Sequence, residues 1–285
     1  MVRPFRWDVA RREQLGRLAH GEPAESYPEF IEDLRRCCAR VIATAGDARL
    51  VFIGRSPESL FDYLSGALHA TSWADRPALL NIALRRLDEP ENVPDQRARA
   101  AVKEQFESFD LDPRSIAASS HLIALIDLIS SGETMGAVIG LLLDWAVRAD
   151  TDPEAVRRRL RVVGITVRGK NSPNTWRWQQ RAKWAADFRP SALKGVSVPW
   201  ELWDYLGNWQ KKVSRTNPAW RWTDGEMQRP PRETEHGEAL RLAVRVHELA
   251  RTTEERAAFA ALVAEQPAMR HGWLRTLVTE LRLGA

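Results

Sequence analysis
Residues 121–140, His-Leu-Ile-Ala-Leu-Ile-Asp-Leu-Ile-Ser-Ser-Gly-Glu-Thr-Met-Gly-Ala-Val-Ile-Gly, decide the fold. Residues 122–126 are a short apolar run without polar alternation, as in a strand buried on both faces of a parallel sheet. Asp127 closes the run, and Ser130, Ser131 and Gly132 supply turn chemistry. From Glu133 onward Met135, Val138, Ile139 and Leu142 recur at helical spacing. Gly132, Gly136 and Gly140 recur every fourth residue, which predicts a bare helix face lying close against the sheet. A strand, a Ser/Gly loop and a helix start make an anion site, because unpaired N–H groups and the positive end of the helix dipole face one point. A phosphate is the expected occupant.

The same device occurs upstream. Residues 50–53, Leu-Val-Phe-Ile, read as a second buried strand, followed by the loop Gly54, Arg55, Ser56, Pro57, Glu58 and Ser59. Ser56 suits an N-cap and Pro57 a first helical residue, and Leu60, Phe61, Leu64 and Leu68 form an apolar stripe. Residues 78–84 read as a strand and 88–94, with Pro90 and Pro94, as a loop. Residues 96–109 read as a helix bearing Arg97, Arg99 and Lys103, and Asp112-Pro113 opens a helical turn. Residues 154–160 predict a short helix and 161–167 a further strand. Strands alternating with helices imply a parallel α/β sheet with right-handed crossovers, whose ligands sit beyond the carboxyl ends of the strands. Both polar loops fall there.

The flanks differ in texture. Residues 1–45 read as mostly helical, with Phe30, Leu34, Cys37, Cys38 and Val41 at helical spacing. Residues 168–232 hold eight of the twelve tryptophans (176, 178, 184, 200, 203, 209, 220 and 222) among basic residues and Pro173, Pro190, Pro199 and Pro218. Core packing or a cover over the sheet edge fits these tryptophans better than nucleic-acid stacking, which stays as a further reading. Residues 238–249 and 253–263 read as surface helices and 273–283 as a terminal helix. The organisation is a helical region over 1–45, an α/β core over 46–170, a basic Trp-rich region over 171–232 and C-terminal helices over 233–285.

Composition bounds the function classes. A chain of 285 residues with 44% hydrophobic and 28% charged residues has the make-up of a globular protein with a sizeable core. A formal charge of +4 does not mark the whole chain as a polyanion binder, but residues 157–232 hold 17 Lys/Arg against 5 Asp/Glu. Cys37 and Cys38 are adjacent, with neither disulfide nor metal-ligand spacing, which fits a reducing, cytoplasmic setting. The start, Met-Val-Arg-Pro-Phe-Arg, lacks the apolar core of a signal peptide, and the apolar stretch 137–147 is too short to span a bilayer. His69, His121, His236, His247 and His271 are scattered without ligand spacing. Neither a P-loop nor a Gly-x-Ser-x-Gly elbow is present.

Residues 122–134 resemble the PRPP-binding loop of type I phosphoribosyltransferases: an apolar strand, two acidic places, two apolar residues, two small hydroxyl residues, Gly, any residue, Thr. Ile126, Asp127, Leu128, Ile129, Ser130, Ser131, Gly132, Glu133 and Thr134 fill those places. The strand and loop over 50–59 look like that family's first strand and pyrophosphate loop. The likeness covers about residues 46–170. It departs at Ile126, where the family carries the first acid, and at Glu133, where it carries a small residue.

The resemblance implies an enzyme transferring ribose 5-phosphate from PRPP to an acceptor with release of pyrophosphate, and a fold with a hood over the acceptor. It implies that Ser130, Ser131, Gly132, Glu133 and Thr134 hold the 5′-phosphate and that Asp127 receives the ribose hydroxyls. It implies that Arg55, Ser56, Glu58 and Ser59 face the pyrophosphate, with Arg55 and Mg²⁺ stabilising it as it leaves. Mg²⁺ has no direct protein ligand in this reading, Asp127 reaching it through water. Arg85, Arg86 and the 97–103 cations are candidates for the flexible catalytic loop, and residues 171–232 for acceptor choice. The alternatives are a non-catalytic PRPP- or nucleotide-binding regulator, motivated by Ile126, and a nucleic-acid-associated protein. No membrane partner is expected, and a homodimer stays open.

Overall fold
The computed structural model describes residues 3–84, 93–168 and 178–283. Arg85, Arg86, Pro90, Pro173 and Trp176, singled out in the sequence, lie outside them. The strands are β1 (Ala48–Ile53), β2 (Pro77–Leu80), β3 (Leu122–Leu128), β4 (Leu160–Val167) and β5 (Leu193–Val198). They form one sheet in the order β2-β1-β3-β4-β5, each neighbouring pair parallel. The expected parallel sheet flanked by helices is the architecture of this chain.

The helices are α1 (Arg12–Leu15), α2 (Phe30–Ala45), α3 (Glu58–Ala67), α4 (Gln96–Glu107), α5 (Pro113–Ala118) and α6 (Glu133–Arg148). After them come α7 (Pro153–Arg159), α8 (Trp178–Arg181), α9 (Trp200–Asp204), α10 (Thr234–Arg251), α11 (Thr253–Ala264) and α12 (Gly272–Leu283). Local chemistry sets several starts. The side chains of Asp95, Asp112, Asp152 and Thr252 accept N–H bonds at the first turns of α4, α5, α7 and α11.

Strand alternation divides the core into two layers. Leu50, Phe52, Ala124, Ile126, Val163 and Ile165 face α2, α3, α10, α11 and α12. Val51, Ile53, Ile123, Leu125 and Val162 face α4, α5, α6 and α7. The β1–β2 connection, α3, thus lies on one face, while the β2–β3 and β3–β4 connections lie on the other. Winding therefore reverses between β1 and β3, and their carboxyl ends flank the crevice where such sheets take ligands.

The structure departs from the sequence reading in five places, the first being the expected 78–84 strand, which as β2 ends at Leu80, Asn81 turning its side-chain amide to Arg215 O instead. Residues 3–29 are mostly irregular, with α1 and one 3-10 turn (Gly16–Ala19), because their few apolar residues build no continuous helical stripe. The basic Trp-rich region contributes β5, whose Leu193, Val196 and Val198 are buried. Helices α10 and α11 are not surface helices, since Leu240, Val246, Phe259 and Ala260 have no exposure. The glycines of α6 do not face the sheet: Gly136 faces Trp184 and Gly140 faces open space.

A Cβ at Gly136 would stand 2.4 Å from Trp184, whereas one at Gly140 meets nothing. On β4, a Cβ at Gly164 would come within 2.7 Å of Trp178 Nε1 and 2.8 Å of Ile129 Cδ1. Trp178 and Trp184 contact each other at 5.6 Å between ring centroids, and Trp184 meets Phe188 edge-on. Two bare backbone positions therefore let an indole pair seat against the β3–α6 corner. Gly164→Ala is expected to lower unfolding free energy by about 1–3 kcal/mol through overpacking. Urea unfolding checks this, and unchanged stability would contradict the packing described.

Candidate functional site
The chain leaves β3 at Leu128 and enters α6 at Glu133. Gly132, with φ +88°, makes the turn into the helix, a conformation that side chains with a Cβ rarely adopt. Ile129 N–H donates to Ile165 O at 2.9 Å, so the loop stays bonded to β4 before it turns. Trp184 Nε1 donates to Gly132 O at 3.1 Å and fixes the loop from above α6. Ser130, Ser131 and Glu133 are exposed and Thr134 is half-buried. The Ser131 hydroxyl receives the Glu133 N–H at 3.4 Å, and the N–H groups of Ser131, Gly132 and Thr134 have no acceptor among the described residues. These free donors and the dipole of a 16-residue helix suit an anion.

Asp127 ends the strand beside this loop. It is only 8% exposed, and its Oδ1 accepts the Leu128 N–H at 2.7 Å. Burial pushes its carboxyl up to about 8, against the pull of that hydrogen bond. Burial thus favours the protonated form, in which the group can both donate to and accept from a hydroxyl. A neutral carboxyl is a poor ligand for a hard cation. No group of three His, Cys, Asp or Glu side chains able to hold a metal exists among the described residues.

The second expected loop is built differently. A segment 210–217 lies over residues 55–59 and takes up their polar groups. Arg55 Nη1 donates to Ser214 O at 3.1 Å, and Val213 N–H donates to Glu58 Oε2 at 3.0 Å. Gln210 Nε2 donates to Ser59 Oγ at 2.5 Å, and Lys212 Nζ donates to Ser56 O at 3.3 Å. Lys212 also reaches Leu206 O at 2.7 Å and Gln210 Oε1 at 2.8 Å. Burial lowers its pKa to about 7 against the attraction of Glu58. Glu58 and Ser59 are buried, and Glu58 Oε1 has no partner. One turn further, Asp62 receives Arg6 Nη2 at 2.6 and 2.8 Å, which ties the N-terminal segment to α3.

The expected residues thus fall into two groups. Asp127, Ser130, Ser131, Gly132, Glu133 and Thr134 come together at one corner with open donors. Arg55, Ser56, Glu58 and Ser59 stand at the adjacent β1–α3 corner but are engaged within the protein. Arg97, Arg99 and Lys103 lie on α4, Lys103 over the Trp145 ring of α6 at 5.2 Å.

Sequence reasoning missed the 210–217 segment and a cleft beside Ser130. That cleft, of about 290 Å³, is lined by Ile129, Ser130, Thr166, Val167, Trp178, Trp200 and Trp203. Trp200 and Trp203 stack at 5.9 Å and 26°, and Trp203 Nε1 donates to Ile165 O at 3.3 Å. Trp200 is 54% exposed, which leaves an indole face for a planar group. The paired tryptophans of Trp-Glu-Leu-Trp, residues 200–203, were the available signal.

The raised carboxyl has a measurable consequence. Unfolded, Asp127 loses its proton near pH 4, whereas folded it keeps it to about 8. The native state binds more protons between those limits, so this group makes stability fall as pH rises from about 4 to about 8. Asp127→Asn is expected to remove that part of the slope and to exceed the parent in stability at pH 8 by on the order of a few kcal/mol. Urea unfolding at pH 5 and pH 8 reads it out, and an unchanged slope in the variant would contradict the assignment. Compared with protein-family models, curated proteins and solved structures, this chain matches none of them.

Proposed function
We propose that this protein binds a phosphorylated ribose ligand, PRPP or a nucleotide, at the β3–α6 corner. The observation carrying the reading is the conjunction of unpaired N–H groups at Ser131, Gly132 and Thr134 with a carboxyl, Asp127, at the carboxyl end of β3. The N–H groups and the Ser130, Ser131 and Thr134 hydroxyls would hold the 5′-phosphate. Asp127 would take a ribose hydroxyl as a two-way hydrogen-bond partner. Trp200 and Trp203 would cover the planar part of the ligand or acceptor, which is the role of a hood in a type I phosphoribosyltransferase-like fold.

In its catalytic form the reading is transfer of ribose 5-phosphate from PRPP to a planar acceptor. The anomeric C–O bond to pyrophosphate would break as the acceptor bonds to the same carbon, through an oxocarbenium-like state. Pyrophosphate would need donors at the β1–α3 loop, where Arg55 now donates to Ser214 O. That contact, the burial of Glu58 and Ser59, and Ile126 in place of an acid favour a second, non-catalytic reading, in which the ligand is sensed rather than consumed.

Isothermal titration with PRPP and Mg²⁺ tests both forms together. Saturable heat is expected, weakened roughly tenfold or more in Asp127→Ala, the scale of a lost hydrogen bond to a buried group. Pyrophosphate release with a panel of planar acceptors then assigns transfer, and binding without release assigns the regulator. No heat with folded protein would overturn both.

A further inference from the structure
At the other end of the sheet, the amino ends of β1, β3, β4 and β5 border a basic groove. Two concavities, of about 550 Å³ and about 140 Å³, share Leu122, Arg161 and Ser191 as lining and so run into one another. Together they reach from α7, at Glu154 and Arg158, to Trp273 at the start of α12. Six cations line this groove: Arg157, Arg158, Arg161, Arg189, Lys194 and Arg270. The carboxylates are Asp47, Glu154 and Asp187. Two of these are already engaged, Glu154 by Arg157 and Asp47 by Arg76.

Among the described residues Arg161, Arg189, Lys194 and Arg270 form no ion pair. Arg161 is held in place by carbonyls instead, donating from Nη1 to Ala45 O at 2.7 Å. Arg189 and Arg270 are exposed. Trp273, half-buried, lines the wider concavity and is backed by Trp73, the two rings stacked at 5.4 Å and 20°. Guanidinium and ammonium groups in series along a groove match phosphates in series and gain from counterion release. An indole fixed from behind offers a face to an unpaired base. A duplex keeps its bases stacked on one another, and its width exceeds concavities of this size. The charge therefore comes from two distant stretches, 157–194 and 270, and the Trp-rich run 200–222 has no part in it.

We propose that this groove binds single-stranded nucleic acid, with Arg161, Arg189, Lys194 and Arg270 on phosphates and Trp273 stacking a base. The site is independent of the phosphate corner at the carboxyl ends.

Fluorescence anisotropy with a 12-nucleotide single strand bearing a 5′-hydroxyl, as RNA and as DNA, tests this on the full chain. Four phosphate contacts predict a slope of log affinity on log salt of roughly −3. The triple variant Arg189→Glu/Lys194→Glu/Arg270→Glu, all outside the hydrophobic core, is expected to bind more than tenfold more weakly with a shallower slope. Trp273→Leu, verified as folded by its thermal transition, is expected to weaken binding at least fivefold with the slope unchanged. Wild-type failure to bind, a slope near zero, or a triple variant as tight as the parent would overturn the proposal. So would equal competition by poly-glutamate of matched charge, which assigns an acidic polypeptide, or tighter binding of a duplex of the same length.

Discussion
A strand buried on both faces can show polar groups only where it leaves the sheet, and β3 is such a strand. Its residues 123–127 are all buried, so the chemistry of this region is confined to Asp127 and the turn into α6. The reversal of winding between β1 and β3 then decides what surrounds that turn. With α3 on one face and α6 on the other, two helix N-termini flank one crevice. The protein treats them differently. At α6 the donors stay open, while at α3 the segment 210–217 bonds to the side chains of Arg55, Glu58 and Ser59 from within.

That asymmetry follows from ordinary costs. Glu58 is buried at the start of α3, and a buried carboxylate needs donors and nearby positive charge. The Val213 N–H and the Lys212 and Arg55 side chains provide them. Lys212 in turn meets three oxygen acceptors, matching the three protons of an ammonium group. The 210–217 segment, α3 and the N-terminal Arg6–Asp62 pair thus form one polar assembly. Breaking a member of such an assembly leaves an uncompensated buried charge, so its parts hold one another in place.

Much of the sheet was legible in the sequence because burial on both faces leaves a plain signature. Residues 50–53 and 122–126 are continuous apolar runs between turn residues, 161–167 is a largely apolar, β-branched run broken by Arg161, Gly164 and Thr166, and each lies within a strand. β5 was not read because Leu-Lys-Gly-Val-Ser-Val only half alternates, as suits a sheet edge, and stands among tryptophans that draw attention to themselves. The glycine repeat in α6 was read correctly as a bare face and wrongly as facing the sheet. Which element covers a bare face is set by a tryptophan 48 residues on from Gly136, and nothing local encodes that. The same holds for the candidate site. The donors of 130–134 are a local property of a helix start, so the sequence carried them. The engagement of Arg55 by Ser214, across 159 positions, and the upward shift of the Asp127 carboxyl through burial depend on tertiary structure.

The central claim is that a sugar phosphate is held by the amides that open α6. Backbone amide chemical shifts during titration with ribose 5-phosphate address it directly, since each N–H reports separately. The account predicts saturable shifts centred on Ser131, Gly132, Glu133 and Thr134. Shifts confined to residues 55–59, or none at a large excess of ligand, would contradict it.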